Sequence, residues 1–509
     1  MLAKITSGAN IGFQAVPITC EVDIASLGLP SFTIVGLADR AVEESKDRVR
    51  SAIRNCGANF PARKITVNLA PADLPKMGPS YDLPIALGVL IASSQISQDS
   101  VERLKDSLVV GELSLDGTLR PTHGILSLSI LAKEQGLKSI IVPKGNGREA
   151  SVIDGLEVLA ANSLQDLIKF LAGELDIKQQ QKSFLNLDEI IIYEYDFSQI
   201  KGQEQAKRAI EVAAAGAHNI LLKGPPGAGK TMLARAFPSI LPVLSLEEAI
   251  EVTKIYSIAG LLNSEISLIR QRPFRSPHHS ATAVGILGGG NTIKPGEISL
   301  SHRGVLFLDE LPEFPRPILE SLRQPLEDHK ITVSRYSGSV TFPAQFILFA
   351  AQNPCPCGFL GDQKKACLCL PGQIAKYKKK ISGPLLDRID IYLELPAVEI
   401  AKLSSDLAVE NSSAIRGRVK RAREIQNKRF QGRILTNAEM TNADIKQFCS
   451  TTSEGLELLK MAISSLNLSA RGYHRVFKLA RTIADLAESE NILTEHIAEA
   501  LQYRSREES

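Results

Sequence analysis

The segment Gly224-Pro-Pro-Gly-Ala-Gly-Lys-Thr231 constrains this chain more than any other, because it sits between the apolar run Ile220-Leu-Leu222 and the helix-forming stretch Met232-Leu-Ala-Arg-Ala236. Gly224, Gly227 and Gly229 let the backbone curl until successive N–H groups converge on a phosphate, and Pro225, Pro226 and Ala228 fill the remaining loop positions. Lys230 supplies a mobile cation for the β- and γ-phosphates, and Thr231 a hydroxyl for Mg²⁺. Strand, loop and helix in this order predict an α/β domain that binds a nucleoside triphosphate.

A second segment decides what happens to that triphosphate. Gly304-Val-Leu-Phe-Leu-Asp-Glu310 runs four apolar residues into two carboxylates, the pattern of a buried parallel strand opening onto a site. Asp309 is placed to hold Mg²⁺, directly or through water, and Glu310 to polarise an attacking water as a base. A further strand, Phe346 to Ala351, ends in Gln352-Asn353-Pro354, where the Asn353 amide can orient water beside the γ-phosphate. An acidic pair after a strand is weak alone; beside the phosphate loop it points to hydrolysis.

Length and charge fit a multidomain machine. The chain has 509 residues, enough for about three domains, and 44% of them are hydrophobic. A net charge of +3 gives no long-range steering, so nucleic-acid contact must come from local basic clusters. No apolar run approaches the roughly 20 residues that span a bilayer, and Met1-Leu-Ala-Lys-Ile-Thr-Ser7 lacks a signal-peptide core, so a cytoplasmic location is expected. Seven cysteines without an export signal favour thiols or metal ligands over disulfides.

Four segments are expected. Residues 1–175 are mixed α and β, with an amphipathic helix from Asp39 to Asn55, a strand at Ile65-Thr-Val-Asn-Leu69 and a hairpin turning at Asp116-Gly117. Residues 176–195 include the glutamine-rich stretch around Lys178 to Lys182 and form a linker. The phosphate-loop core occupies 196–396, and 397–509 show helical periodicity with almost no glycine or proline, as in a helical lid.

The order of phosphate loop, acidic strand, Asn353 and Ser382-Gly-Pro-Leu-Leu-Asp-Arg388-Ile-Asp resembles an AAA+ ATPase. More closely, Arg272-Pro-Phe-Arg-Ser-Pro-His-His279, Asn353-Pro-Cys-Pro-Cys-Gly358 and Ser469-Ala-Arg-Gly-Tyr-His-Arg475 resemble the magnesium-chelatase-like ComM/YifB proteins, over essentially the whole chain. That resemblance implies that Arg388 is an arginine finger inserted into a neighbour's site and Arg471 the second sensor, reporting γ-phosphate to the lid. It also implies a homo-hexameric ring, and it places Ile200, Gly202 and Gln203 on the adenine.

Two glycine-containing hairpins are candidates for touching DNA. One carries Lys294; the other carries Arg335 and Tyr336 near its turn. This arrangement resembles the replicative MCM helicases, where both hairpins point into the ring channel. An arginine for phosphate and a tyrosine for stacking suit sequence-independent binding of single-stranded or branched DNA, while the same residues also suit a subunit-contact hairpin. The basic run Arg416 to Arg429 spreads over several helical faces and reads as a solvated helix.

Cys355, Cys357, Cys367 and Cys369 form two C-x-C pairs flanking a short loop, a set that can hold structural Zn²⁺, although the spacing departs from C-x₂₋₄-C and also fits free or redox-paired thiols. His278 and His279 have no carboxylate at ligand spacing in the sequence, which favours a structural or interface role. Near the N-terminus, Pro75-Lys-Met-Gly-Pro-Ser80 and Gly111 to Pro121 resemble the Lon-type protease domain (ribosomal S5 domain 2-type fold), yet the position of the catalytic lysine falls on Leu126. Ser80 then lacks the base a serine nucleophile needs, which leaves a Lon-like α+β scaffold.

The expected protein is thus an α/β multidomain ATPase using ATP and Mg²⁺. By its resemblance it is a DNA helicase of branch migration in natural transformation, working with recombination proteins and no membrane; the alternative is a chelatase-type motor that remodels a protein partner for metal insertion.

Overall fold

A computed structural model describes residues 2–180, 193–290, 293–335, 338–362, 365–396, 409–433, 436–466 and 469–504. The first sheet comprises β1 (Leu2–Ile11), β2 (Gln14–Ile24), β3 (Ser31–Val35) and β4 (Lys64–Ala70) in the order β1-β2-β4-β3, with only the β3–β4 pair parallel. Alternate residues of β4 are buried, including Ile65, Val67 and Leu69, so one face of this sheet is apolar. Against it packs the helix Asp82–Ala92, which is buried on every side. The helix read from Asp39 to Asn55 is two helices, Arg40–Glu43 and Ser45–Asn55, with Asp39 capping the first through Val42 N at 2.8 Å.

Strands β5 (Ser107–Val109), β8 (Ser139–Pro143) and β9 (Glu157–Ala161) form a parallel sheet with β8 in the middle, while β6 (Glu112–Leu113) and β7 (Leu119–Arg120) form the Asp116-Gly117 hairpin. Leu126 is fully buried at the start of the helix Ile125–Glu134, and its N–H donates to Glu149 Oε1 at 2.8 Å. An aliphatic side chain stands where the protease-like reading requires a lysine. His123 packs against Gly260.

The central sheet is all parallel, in the order β11-β14-β17-β10-β18, formed by β10 (Ile220–Lys223), β11 (Phe274–Arg275), β14 (Val305–Leu308), β17 (Ile347–Gln352) and β18 (Ile391–Glu394). Val305-Leu-Phe-Leu308 is buried throughout, as the middle of a parallel sheet covered on both faces demands. Two antiparallel hairpins project from this core: β12 (Gly288–Gly289) with β13 (Lys294–Pro295), and β15 (Lys330–Arg335) with β16 (Gly338–Pro343).

The C-terminal helices share the core of the parallel sheet. Val419, Ala422, Leu479 and Ile483 join Ile220, Leu222 and Phe349 in one buried apolar cluster. They sit beside the helix Glu204–Gly216, where Gln426 Nε2 donates to Ala215 O at 3.1 Å and His218 Nε2 lies 2.8 Å from Thr482 Oγ1. The basic helix Ser412–Phe430, read as solvated, turns several cations inward: Arg418 pairs with Glu211, Arg423 donates to Ala214 O at 2.8 Å, and Arg429 pairs with the buried Asp485.

Candidate active site

Because β10, β14 and β17 are adjacent and parallel, the loops leaving their C-terminal ends converge, the usual ligand crevice of an open α/β sheet. The phosphate loop leaves β10, with Gly227 and Gly229 at φ of +79° and +85°, a conformation that costs glycine nothing. Gly224 N donates to Gln352 O at 3.2 Å, anchoring the start of the loop to the end of β17.

Lys230 opens the following helix, and its ammonium donates to Gly224 O at 2.6 Å, Pro225 O at 2.9 Å and Asn353 Oδ1 at 3.1 Å. Burial lowers its pKa, opposed by the carboxylates of Asp309 and Glu310. Thr231 Oγ1 donates to Asp309 Oδ2 at 2.9 Å, and Asp309 Oδ1 accepts from Glu310 N at 2.9 Å. A cation held in a curled loop, with a hydroxyl–carboxylate pair beside it, fits a triphosphate and its Mg²⁺.

Glu310 has a left-handed backbone (φ +51°) and a half-exposed side chain whose Oε2 lies 3.7 Å from His279 Nδ1. His278 packs on His279 with ring centroids 4.0 Å apart. The sequence offered these histidines no carboxylate; the sheet supplies one, because β11, which precedes them, is parallel to and beside β14. Ile200 is buried, and Gln203 caps the helix Glu204–Gly216 while its amide donates to Ala228 O of the phosphate loop at 3.4 Å and to Pro396 O at 3.0 Å. Gly202, with φ of +70°, makes the turn between them.

Arg388 and Arg471 are not brought to this site. Both line a cavity of about 560 Å³ whose wall includes Asn219, Gly304, Ile347 and Asp390, residues at the N-terminal ends of the sheet strands. The four residues of β10, about 13 Å of extended chain, separate that end from the phosphate loop. Arg388 donates to Arg323 O at 3.1 Å and Pro384 O at 2.6 Å and pairs with Glu327; Arg471 lies 3.7 Å from Asp387.

Lys294 is exposed on β13, and its charge, after burial, lowers the pKa of His123. Arg335 is the last residue of β15, its backbone paired with Gly338, and Tyr336 lies outside the described residues. The second hairpin rests on the β1–β2 turn, where Gly12 has no room for a Cβ beside Val340.

The sulfurs of Cys355, Cys357, Cys367 and Cys369 all lie within 4.8 Å of one another, with Cys355–Cys357 at 3.4 Å and Cys367 at 3.6 Å from both. Four ligands about 2.3 Å from one tetrahedral ion stand about 3.8 Å apart, so this donor set fits a metal such as zinc. Main-chain hydrogen bonds from Phe359 and Leu368 pull the Cys357 thiol down to about 6. Against opposing main-chain hydrogen bonds, burial and the neighbouring sulfurs push Cys367 up to about 12 and raise Cys369, so without an ion the four sulfurs do not all ionise together.

Fold and site together define a phosphate-loop nucleotide hydrolase. Family models described as magnesium chelatase, subunit ChlI, match residues 196–403, with companion models matching 20–146 and 409–504. The chain is 45% identical over 507 residues to YifB of Escherichia coli (strain K12), covering 99% of this chain and 97% of that one. It is 43% identical over 515 residues to the competence protein ComM of Haemophilus influenzae, with the same coverage. A shorter match, 29% over 125 residues, covers 24% of this chain and 22% of Lon protease 2 of Bacillus subtilis. The chain belongs to the magnesium-chelatase-like ComM/YifB family, an AAA+ family whose membership implies an ATPase using ATP and Mg²⁺. Among the described residues, no helix is long and apolar enough to cross a membrane.

Proposed function

We propose that this chain is the subunit of a cytoplasmic homo-hexameric motor that hydrolyses ATP to translocate on DNA, driving branch migration as incoming DNA is recombined. The observation that carries the assembled ATPase is the separation of Lys230, Asp309 and Glu310 from Arg388 and Arg471 by the length of the parallel sheet, and the DNA half of the reading is supported by the two hairpins that precede the Asp309 and Asn353 strands. An arginine finger that cannot reach its own phosphate loop serves a neighbour's, an arrangement that a closed head-to-tail ring satisfies at every interface. The competence role comes from the name of the Haemophilus relative.

In this reading Lys230 clamps the phosphate tail and Thr231 and Asp309 hold Mg²⁺, while Glu310 accepts a proton from water that Asn353 orients. Mg²⁺, when bound, neutralises charge on the phosphates. Arg388 and Arg471 of one copy face the next copy's nucleotide. The four thiols hold a structural Zn²⁺. Residues 1–175 form a Lon-like collar, 176–195 a linker, 196–396 the ATPase core and 397–509 the helical segment that carries Arg471.

DNA is gripped by Lys294, Arg335 and Tyr336, since the first hairpin precedes the Asp309 strand and the second precedes the Asn353 strand. The variant Lys294→Ala/Arg335→Ala is expected to lose strand displacement, keep basal ATPase and ring assembly, and show a shallower fall of DNA affinity with salt, because fewer counterions are released. Strand-displacement and filter-binding assays across a salt series check this. The description of the family models as magnesium chelatase supports a second reading, a chelatase-type motor that remodels a protein partner for metal insertion; parent protein that displaces no strand would select it, whereas normal unwinding with an unchanged salt slope in the double variant would remove Lys294 and Arg335 from the DNA contact.

A further inference from the structure

We infer that the four-cysteine knuckle is a metal-dependent clamp on the phosphate loop, so that zinc and ATP bind this chain cooperatively. This inference rests on the ATP reading of the loop.

The knuckle starts two residues after Asn353, the residue whose side chain accepts from Lys230 at 3.1 Å. The turn that follows Cys357 places Gly358 against the phosphate loop: a Cβ there would lie 2.7 Å from Pro226 Cδ and 2.8 Å from Pro226 Cγ. Gly358 has φ of +84°, and its N–H donates to Cys355 O at 3.0 Å, fixing the contact to the first thiol of the cluster. Cys355 is itself fully buried. The phosphate loop is therefore held from two directions, by Gln352 O on Gly224 N and by the Gly358 turn on Pro226.

A short irregular segment has little core of its own, and an ion bound by all four sulfurs removes most of its conformational freedom. With the ion in place, the Gly358 turn and Asn353 are fixed, and the loop is held in the curled form that receives phosphate. Without it, part of the free energy of nucleotide binding is spent on ordering both. Linkage then requires the converse, that bound nucleotide tightens the metal by the same factor.

Two glycines separate this effect from backbone strain. Gly358 and Gly361 share nearly the same left-handed backbone, with φ of +84° and +82°, but a Cβ on Gly361 meets nothing within 4 Å. Neither residue is a metal ligand.

Binding of a fluorescent ATP analogue to the full-length protein tests the inference. Zinc content is measured alongside it, and zinc affinity is measured by equilibrium competition with a chromogenic chelator, with and without ATP. The expected results are about one zinc per chain, about 10-fold weaker nucleotide binding after zinc removal, and zinc affinity raised by ATP by a matching factor. Gly358→Ala should keep its zinc and still lose about 10-fold in ATP affinity, whereas Gly361→Ala should bind ATP as the parent does. Equal loss in both variants, no loss in Gly358→Ala, or zinc-free protein that binds ATP normally would overturn the clamp. Zinc-loaded parent protein that binds no ATP would instead overturn the nucleotide reading itself.

Discussion

Lys230→Ala is expected to weaken ATP binding by about 100-fold, the loss of a charge-assisted contact at a partly desolvated site. Glu310→Gln should bind ATP as the parent does and turn it over about 10²- to 10⁴-fold more slowly. The two outcomes differ because the two side chains occupy different parts of the site. The Lys230 ammonium is folded into the loop by Gly224 O and Pro225 O, whereas the Glu310 carboxylate is half-exposed beside His279 and acts on Lys230 through its charge. Nucleotide titration and steady-state phosphate release distinguish them. Parental turnover in Glu310→Gln would remove it from the role of base.

Arg388→Ala should cost about 10³- to 10⁵-fold in turnover, far more than its effect on folding explains. Within the chain its largely buried side chain pairs with Glu327 and donates to Arg323 O and Pro384 O, contacts whose loss costs about 1–3 kcal/mol of stability, so thermal melting of the variant is followed alongside turnover. Because this arginine lies at the far end of the sheet from the phosphate loop of its own chain, the defect should be complementable. Rings assembled from inactive Arg388→Ala and inactive Lys230→Ala subunits contain some interfaces with an intact loop facing an intact finger, and those should hydrolyse ATP. Co-assembled rings with no activity would place Arg388 outside the neighbour's site.

What the sequence made legible was local. The phosphate loop, the Val305–Leu308 strand with its two carboxylates and the Asn353 strand tip each declare themselves within ten residues, through glycine, apolar run and polar stop, and the structure gathers them at one end of one sheet. Contacts between distant segments were not legible. His279 meets Glu310 because the strand before it, only Phe274–Arg275, lies beside the strand that ends near Glu310; two residues carry no periodicity to announce that strand. Gly358 resembled any turn glycine, and only the fold shows that Pro226 occupies the space its side chain would need. Arg423 and Arg429 counted as surface charge until the partners Ala214 and Asp485, both remote in sequence, came into place. The continuous helix read over Asp39 to Asn55 erred for a related reason: amphipathic spacing carries on through the break at Glu44.

The central claim is that ATP hydrolysis by this chain is coupled to movement on DNA. The most direct measurement follows ATP turnover and the migration of a fluorescently labelled branched junction in the same reaction, with single-stranded and duplex DNA as comparators. The expected result is turnover stimulated by branched DNA and junction movement that requires ATP and stops in Glu310→Gln. Turnover indifferent to every DNA, with a stationary junction, would contradict it.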